Sequence, residues 1–540
     1  MRRFAKWALA VQVVGLAFLS ASAQLPNCPV RPNPGTVVAD ALSLSSQNGV
    51  LQLGLTERNG VDALGYTHFC FDYATSTGNI EAPTLRLNPG DTLSLDLTNQ
   101  LNFTPAAAIA QTKYHSMDDM GSMGSTTGTA STDPCQSKIV NFNTTNLHFH
   151  GLNVPPLCHQ DDVITTLIQP STTPFKYQIQ IPANEPPGLY WYHPHPHGYT
   201  AFQVNGGAAG AIVIGGIEKI KPQVSGLTER VLVIRQQFLN PLSWIPGSYQ
   251  LTVNFQPATF PAEASPIIQT KPGEKQFWRV ANASTQAFLD LQVLFGTTAQ
   301  TLELISMDGV PVTGDPMVTD IALPPAGRAE FIMTGPPSGS TNATFVTAGY
   351  NTGPVGNANV PQVLANILPT ATASQPATVV PSAPAVRVTQ RFSGLAAIKP
   401  TATRSLYFSE AALGTNPPVN FFITVKGQQP KLFNANEPPA IVTNTGAVED
   451  WTIENHTGEQ HAFHMHQIHF LVMAINGVAV ANPTLQDTVN VPFYSGIGPY
   501  PSVTVRMDFR DPNIAGTFVY HCHVLFHEDN GMMAKIRVDP

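Results

Sequence analysis

The sequence predicts an all-β chain built from three successive β-sandwich domains, and three observations carry that reading. The first is composition: 41 Gly and 48 Pro with only 11% charged residues mark a folded, turn-rich chain. The second is length, since 540 residues exceed what one hydrophobic core organises. The third is a repeat. Gly90-Asp-Thr-Leu-Ser-Leu-Asp-Leu-Thr-Asn99, Gly273-Glu-Lys-Gln-Phe-Trp-Arg-Val-Ala-Asn282 and Gly446-Ala-Val-Glu-Asp-Trp-Thr-Ile-Glu-Asn455 each place a turn Gly nine residues before an Asn. Between them runs an alternating strand, clearest where Leu93, Leu95 and Leu97 share one face.

A second repeat links the outer thirds. Gly188-Leu-Tyr-Trp-Tyr192-His193-Pro-His195 matches Gly516-Thr-Phe-Val-Tyr520-His521-Cys-His523. The expected division is a leader over 1–23, then domains over 24–217, 218–385 and 386–540. Residues 351–386 are rich in Pro, Ala, Thr and Val and almost uncharged, and read as a linker closing the second domain.

The leader has a basic start at Arg2, Arg3 and Lys6, an apolar run from Trp7 to Leu19, and Ala21-Ser22-Ala23 before Gln24. This is the pattern of a cleaved export signal, so a periplasmic or extracellular location is expected. Arg2-Arg3 admits twin-arginine export, although the residues after the pair fit that route poorly. Nothing later is long and apolar enough to span a bilayer. A net charge of −8 without a Lys/Arg cluster argues against a nucleic-acid partner. Of five cysteines, Cys28, Cys70, Cys135 and Cys158 form an even set for which three disulfide pairings exist; Cys135 and Cys158 flank a His motif and could staple it.

Cys522 belongs to different chemistry. In His521-Cys522-His523 a strand would turn the two imidazoles to one face and the thiol to the other. His527 and Met532 follow Cys522 at successive steps of five residues, and a Cys, two His and a weak Met make a blue-copper electron-transfer site. Three further clusters hold His-x-His: His148-Phe-His150, His193-Pro-His195-Pro-His197 and His461-Ala-Phe-His464-Met-His466. His461, three residues before His464, has the parity to face Cys522 as the second imidazole. The other eight imidazoles, two pairs from each outer domain, can converge across one interface on several copper ions. None of the 16 His lies between Tyr199 and Asn455, so the middle domain reads as a spacer.

These four motifs, in this order and over nearly the whole mature chain, resemble the multicopper oxidases, the family of laccases, bilirubin oxidases and bacterial cuprous oxidases. His521 to Met533 and Trp191 to Gly198 are most similar to the bacterial copper-efflux oxidases and related laccases. The resemblance implies three consecutive cupredoxin-like Greek-key β-sandwich domains and four copper ions. Type 1 copper would use His461, Cys522, His527 and axial Met532. Type 2 would use His148 and His464. The type 3 pair would use His150, His193, His195, His466, His521 and His523. It also implies two proton-delivering carboxylates, matched here by Glu528 and by Asp161 or Asp162. Met533 reads as packing, His197 as a non-ligand, His469 as a packed strand residue, and His68, His159 and His456 as surface positions.

The expected activity is one-electron oxidation of phenols or aromatic amines coupled to four-electron reduction of O2 to water, by a monomer. A cuprous-ion oxidase is the alternative. His115-Ser-Met117-Asp-Asp-Met120-Gly-Ser-Met123 offers soft sulfur to Cu(I), although it also reads as a flexible polar loop. The copper-efflux members carry their Met-rich insert later in the chain, where 334–464 has nothing comparable. A non-catalytic copper-binding protein would need no such full ligand set. Copper nitrite reductases would lack the His193/His195 and His521/His523 pairs together.

Overall fold

In the computed structural model, residues 28–540 are described apart from 62–66, 104–130, 239–248, 259–263, 358, 372–377, 382–390 and 413–418. The leader and the Met117, Met120 and Met123 loop lie outside the described residues. Six sheets pair into three β-sandwiches, each with its own core of inward-facing aliphatic and aromatic side chains.

The thrice-repeated motif explains the common plan. Gly90, Gly273 and Gly446 all take positive φ, at 90°, 66° and 89°, which starts each strand from a tight turn. The strands that follow, Thr92–Asn99, Lys275–Ala283 and Ala447–Asn455, each pair in parallel with a long earlier strand: Val50–Val61, Thr228–Phe238 and Ala402–Ala412. The terminal Asn then ties the sandwich shut. Asn99 donates to the carbonyls of Asn143 and Ile168, Asn282 to those of Ala287, Leu323 and Pro324, and Asn455 to those of Glu459 and Val491. Each side-chain oxygen accepts the N–H two residues on, at Leu101, Ser284 and Thr457. Leu93, Leu95 and Leu97 are fully buried, as their alternation predicts.

Two segments within 351–386 depart from the linker reading. Gln362–Pro369 is an interior strand of a second-domain sheet, between Ile267–Thr270 and Ala343–Thr347, and Leu364, Ala365 and Ile367 are buried. Thr378–Val379 pairs with the Thr228–Phe238 strand. Along Gln362–Pro369 the lack of charge accompanies burial, which composition alone does not separate from a linker.

The domains meet along apolar seams. Leu189, Trp191 and Val213 pack against Val231, Val233 and Ala281, joining the first two domains. Val163 of the first domain packs with Val519 and Met533 of the third. Two disulfides, Cys28–Cys70 and Cys135–Cys158, lie in the first domain; Cys522 is free and buried. No helix among the described residues is long and apolar enough to cross a membrane.

Candidate metal centres

Two equivalent strand pairs bring the histidines together. In the first domain His148–His150 runs antiparallel to Gly188–His193 with His148 opposite His193. In the third, His461–Met465 runs antiparallel to Gly516–Cys522 with His464 opposite His521. The two pairs face each other across the domain interface. His148 stacks on His466 with ring centroids 3.8 Å apart, and His150 stacks on His464 at 4.0 Å.

All eight imidazoles are buried, none above 1% exposed. The chain holds one nitrogen of five rings, and in four of them the other nitrogen has no partner. Asp161 holds His148 Nδ1 at 3.1 Å, Asp487 Oδ1 holds His150 Nε2 at 3.1 Å, and the Pro194 carbonyl accepts from His193 Nδ1 at 2.9 Å. The Asp487 carbonyl accepts from His464 Nδ1 at 2.8 Å, and that of Cys522 from His521 Nδ1 at 3.0 Å. Left over are Nε2 of His148, His193 and His464, Nδ1 of His150 and His466, and both nitrogens of His523. The Nε2 of His521 lies 3.2 Å from that of His466 and 3.4 Å from that of His195. Buried polar atoms in globular proteins are almost always paired. A cage of converging, unpaired imidazole nitrogens, oriented by their second nitrogens, is the donor set of a metal cluster. Burial, and then the neighbouring rings, push these imidazoles well below the ordinary range, and His193 and His521 down to about 3, so their lone pairs are free for a metal.

On the other face of the Gly516–Cys522 strand, Cys522 Sγ lies 3.5 Å from His461 Nδ1 and 3.8 Å from His527 Nδ1, with 3.2 Å between the two nitrogens. The strand ends at Cys522, and a short helix, Leu525–Asp529, returns His527 to the thiol. Cys522 N donates to the Met532 carbonyl and Met532 N to that of His527, which sets residue 532 beside both; its side chain is fully buried. Burial raises the Cys522 thiol, but the His461 charge and hydrogen bonds from both imidazoles outweigh it and bring the thiol down to about 6. A low-pKa thiol between two imidazoles is a thiolate ligand set.

Carboxylates border both centres. Asp161 accepts the Phe149 N–H at 2.9 Å and an amide N–H of Gln467 from the third domain, while Asp162 caps the turn at Ile164 and Thr165. Of the two Asp candidates, only Asp161 touches a cluster imidazole. Glu528 lies 3.5 Å from His195 Nδ1 and 3.3 Å from His521 Nδ1. Burial raises both carboxyls well above their ordinary values. At the outer edge of the thiolate centre, Glu459 Oε1 is 3.0 Å from His527 Nε2, and Glu410 Oε1 is 3.7 Å from His461 Nε2. Asp487, Glu459 and Glu410 lie outside the His motifs, and no sequence pattern singles them out.

Four further histidines among the described residues have other partners. His197 packs on Phe433, His159 stacks on Phe175, and His469 is buried with its Nε2 donating to the Asp308 carbonyl. His456 is half-buried between Tyr407 and Tyr500.

Two family models described as multicopper oxidase match the chain, one over residues 137–219 and one over 412–540, and these two segments hold all four histidine motifs. The chain belongs to the multicopper oxidase family. This multicopper oxidase is therefore an oxidoreductase that uses O2 and copper. It is 22% identical over 468 residues to the multicopper oxidase mco of Staphylococcus aureus, covering 85% of this chain and 83% of that one. Among solved structures it is similar to a multicopper oxidase from Campylobacter jejuni titled a metallo-oxidase, with a TM-score of 0.66, 20% identity and coverage of 94% and 96%. It is also similar to a laccase-like multi-copper oxidase from Ochrobactrum sp. titled as active towards lignin model compounds, with a TM-score of 0.60, 19% identity and coverage of 94% and 100%. At these identities the structural likenesses establish the shared fold.

Proposed function

We propose that this multicopper oxidase oxidises phenols and aromatic amines in the manner of a laccase, reducing O2 to water. The observation that carries the reading is the Glu459 carboxylate at the outer edge of His527. A phenol or aniline loses a proton along with its electron, and a carboxylate 3.0 Å from the imidazole Nε2 can accept the substrate O–H or N–H there. Loops from two domains enclose that edge. Gln460 N donates to the Thr352 carbonyl at 2.8 Å, and Tyr494 N to that of Thr457 at 2.8 Å. A Cβ on Gly353 would lie 2.3 Å from the Gly458 carbonyl oxygen and 2.7 Å from Phe493. Val355, Ile497 and Tyr500 leave apolar surface exposed on the same loops.

His461, Cys522, His527 and Met532 would hold one copper, and the eight caged imidazoles the others; bound copper supplies one-electron acceptance at the first centre and multi-electron reduction of O2 at the second. The chain supplies the rest. Cys522 is joined covalently to His521 and His523, so the two centres share one strand. Asp161 and Glu528, each against a cage imidazole, are the acids from which O2 reduction takes its protons.

The pair of outer carboxylates also favours a second reading, oxidation of a metal ion such as Cu(I), which Glu459 and Glu410 together would hold against the two imidazole edges. An oxygen electrode separates the readings. With copper-loaded protein, a phenolic dye should drive O2 uptake, Glu459→Gln should lower kcat/KM for it about tenfold or more, and Glu410→Gln should leave it near wild type. If Cu(I) alone drives uptake and either substitution abolishes it, the phenol reading falls. The reading of the chain as exported rests on the leader pattern and on the two disulfides, which persist in oxidising compartments. N-terminal sequencing of the native protein should begin at Gln24.

A further inference from the structure

The middle domain contributes no histidine, yet its Arg328 and Asp308 hold Asp487, which touches the cage. We propose that Arg328 is a positioning residue for the O2-reducing centre, acting through Asp487; the proposal rests on the reading of the imidazole cage as a copper site.

Arg328 is fully buried where all three domains meet. Its guanidinium has five N–H donors, and each finds an oxygen. Nε donates to the Leu189 carbonyl of the first domain at 3.3 Å. Nη1 donates to the Ala326 carbonyl at 3.1 Å and Nη2 to that of Asp308 at 3.0 Å, both within the second domain. The last two donors form a fork on Asp487 of the third domain, at 2.7 Å to Oδ1 and 2.5 Å to Oδ2. Asp308 holds the same residue from the other side: its Oδ1 accepts from Arg328 N at 2.8 Å, and its Oδ2 from Asp487 N at 3.2 Å and Thr488 N at 3.3 Å.

The residue held so firmly touches the cage twice. Asp487 Oδ1 lies 3.1 Å from Nε2 of His150, and its carbonyl accepts from Nδ1 of His464. Those two rings stack at 4.0 Å, and each presents its other nitrogen, unpartnered, to the cage interior. The fork fixes the plane of the Asp487 carboxylate, and the carboxylate with its own carbonyl fixes the rotation of one imidazole from each outer domain. Gly151, next to His150, makes room for this: a Cβ there would lie 2.6 Å from Arg328 Nη2 and 2.7 Å from Asp487 Oδ2. The thiolate centre takes no part, since neither Arg328 nor Asp487 contacts His461, Cys522 or His527 in these bonds.

That asymmetry provides the test. Arg328→Met, Arg328→Lys and Asp487→Asn are each loaded with copper, and copper per chain, the blue absorption band, the type 2 paramagnetic resonance signal, and kcat and KM for a phenolic dye are measured. Removing a residue that orients metal ligands costs about 10–100-fold in metal affinity or activity. Arg328→Met and Asp487→Asn should keep the blue band and the KM, lose or shift the type 2 signal, and lower kcat by that factor. Arg328→Lys keeps the charge but not the fork, and should fall between Arg328→Met and wild type. Wild-type copper content, type 2 signal and kcat in a folded Arg328→Met or Asp487→Asn overturn the proposal. So does loss of the blue band in step with the type 2 signal, because Arg328 would then only cement the domains. Should Arg328→Met fail to fold, Asp487→Asn decides by the same criteria with the guanidinium in place. A wild type that takes up no copper would overturn the copper reading itself; a wild type that loads, matched by its variants, overturns the clamp alone.

Discussion

Glu57 shows how much a single buried carboxyl shapes this chain. It is completely buried, and its side chain is hydrogen-bonded by the Thr145 hydroxyl. Burial raises it from its ordinary 4.5 to about 8, against the lowering effect of Thr145. A carboxyl raised in the folded state stays protonated where the unfolded chain has already ionised. Its contribution is therefore fully present below pH 4.5 and is lost as pH climbs towards about 8. The slope for one such group approaches about 1.4 kcal/mol per pH unit. Glu57→Gln should flatten the decline of the urea midpoint between pH 4.5 and about 8; curves that stay parallel to wild type would refute the assignment. At the same scale, Cys522→Ser removes the thiol that His461 and His527 face in the thiolate centre. It should abolish the blue band and dye-driven O2 uptake together, and uptake without colour would break the link between the two centres.

At the scale of elements, the sequence was most legible where a local rule has a spatial consequence. Strand parity alone separates Cys522 from His521 and His523, and three residues of offset turn His461 away from His464; both relations hold in the folded chain. The Gly-to-Asn repeat is likewise local, and its turn and Asn bonds recur in all three domains. What sequence could not show is contact across long separations. Asp487 meets His150 over 337 residues and Arg328 over 159, and nothing near Gln486-Asp487-Thr488 marks it. Gln362–Pro369 is ambiguous in sequence for a related reason, since a buried strand and a linker can both lack charge. The Asn repeat makes its own prediction. Asn282→Ala removes its hydrogen bonds to the carbonyls of Ala287, Leu323 and Pro324 and from Ser284 N, at about 0.5–1.5 kcal/mol for each bond lost. The thermal midpoint should drop by several degrees at least while the blue band per folded molecule is unchanged, because the second domain holds none of the thiolate-centre residues. A selective loss of colour in folded protein would contradict this division of labour.

For the whole molecule, the cage is the joint between the first and third domains, and that makes metal a structural partner of the fold. Four imidazoles come from each side, and seven of their nitrogens have no protein partner. Without copper those buried nitrogens are uncompensated, and the rings are held neutral by burial, so the interface keeps its desolvation cost and loses its bonds. A ligand that binds only the folded state stabilises it by mass action. Other contacts still hold the domains: Gln467 reaches Asp161, Asn153 Nδ2 donates to the Gln467 carbonyl at 2.8 Å, and Asp529 accepts the N–H groups of Gly198 and Ala201, each at 2.8 Å. The interface should therefore loosen rather than separate on copper removal. Amide hydrogen exchange should speed up in His148–His150, Gly188–His193, His461–Met465 and Gly516–Cys522. Protection should persist in Lys275–Ala283 and Arg328–Thr334, whose ladder lies in the second domain's own sandwich. The thermal midpoint of the copper-free chain should fall and return on reloading. Superimposable melts and exchange patterns with and without copper would mean that the two outer domains close on each other without the metal's help.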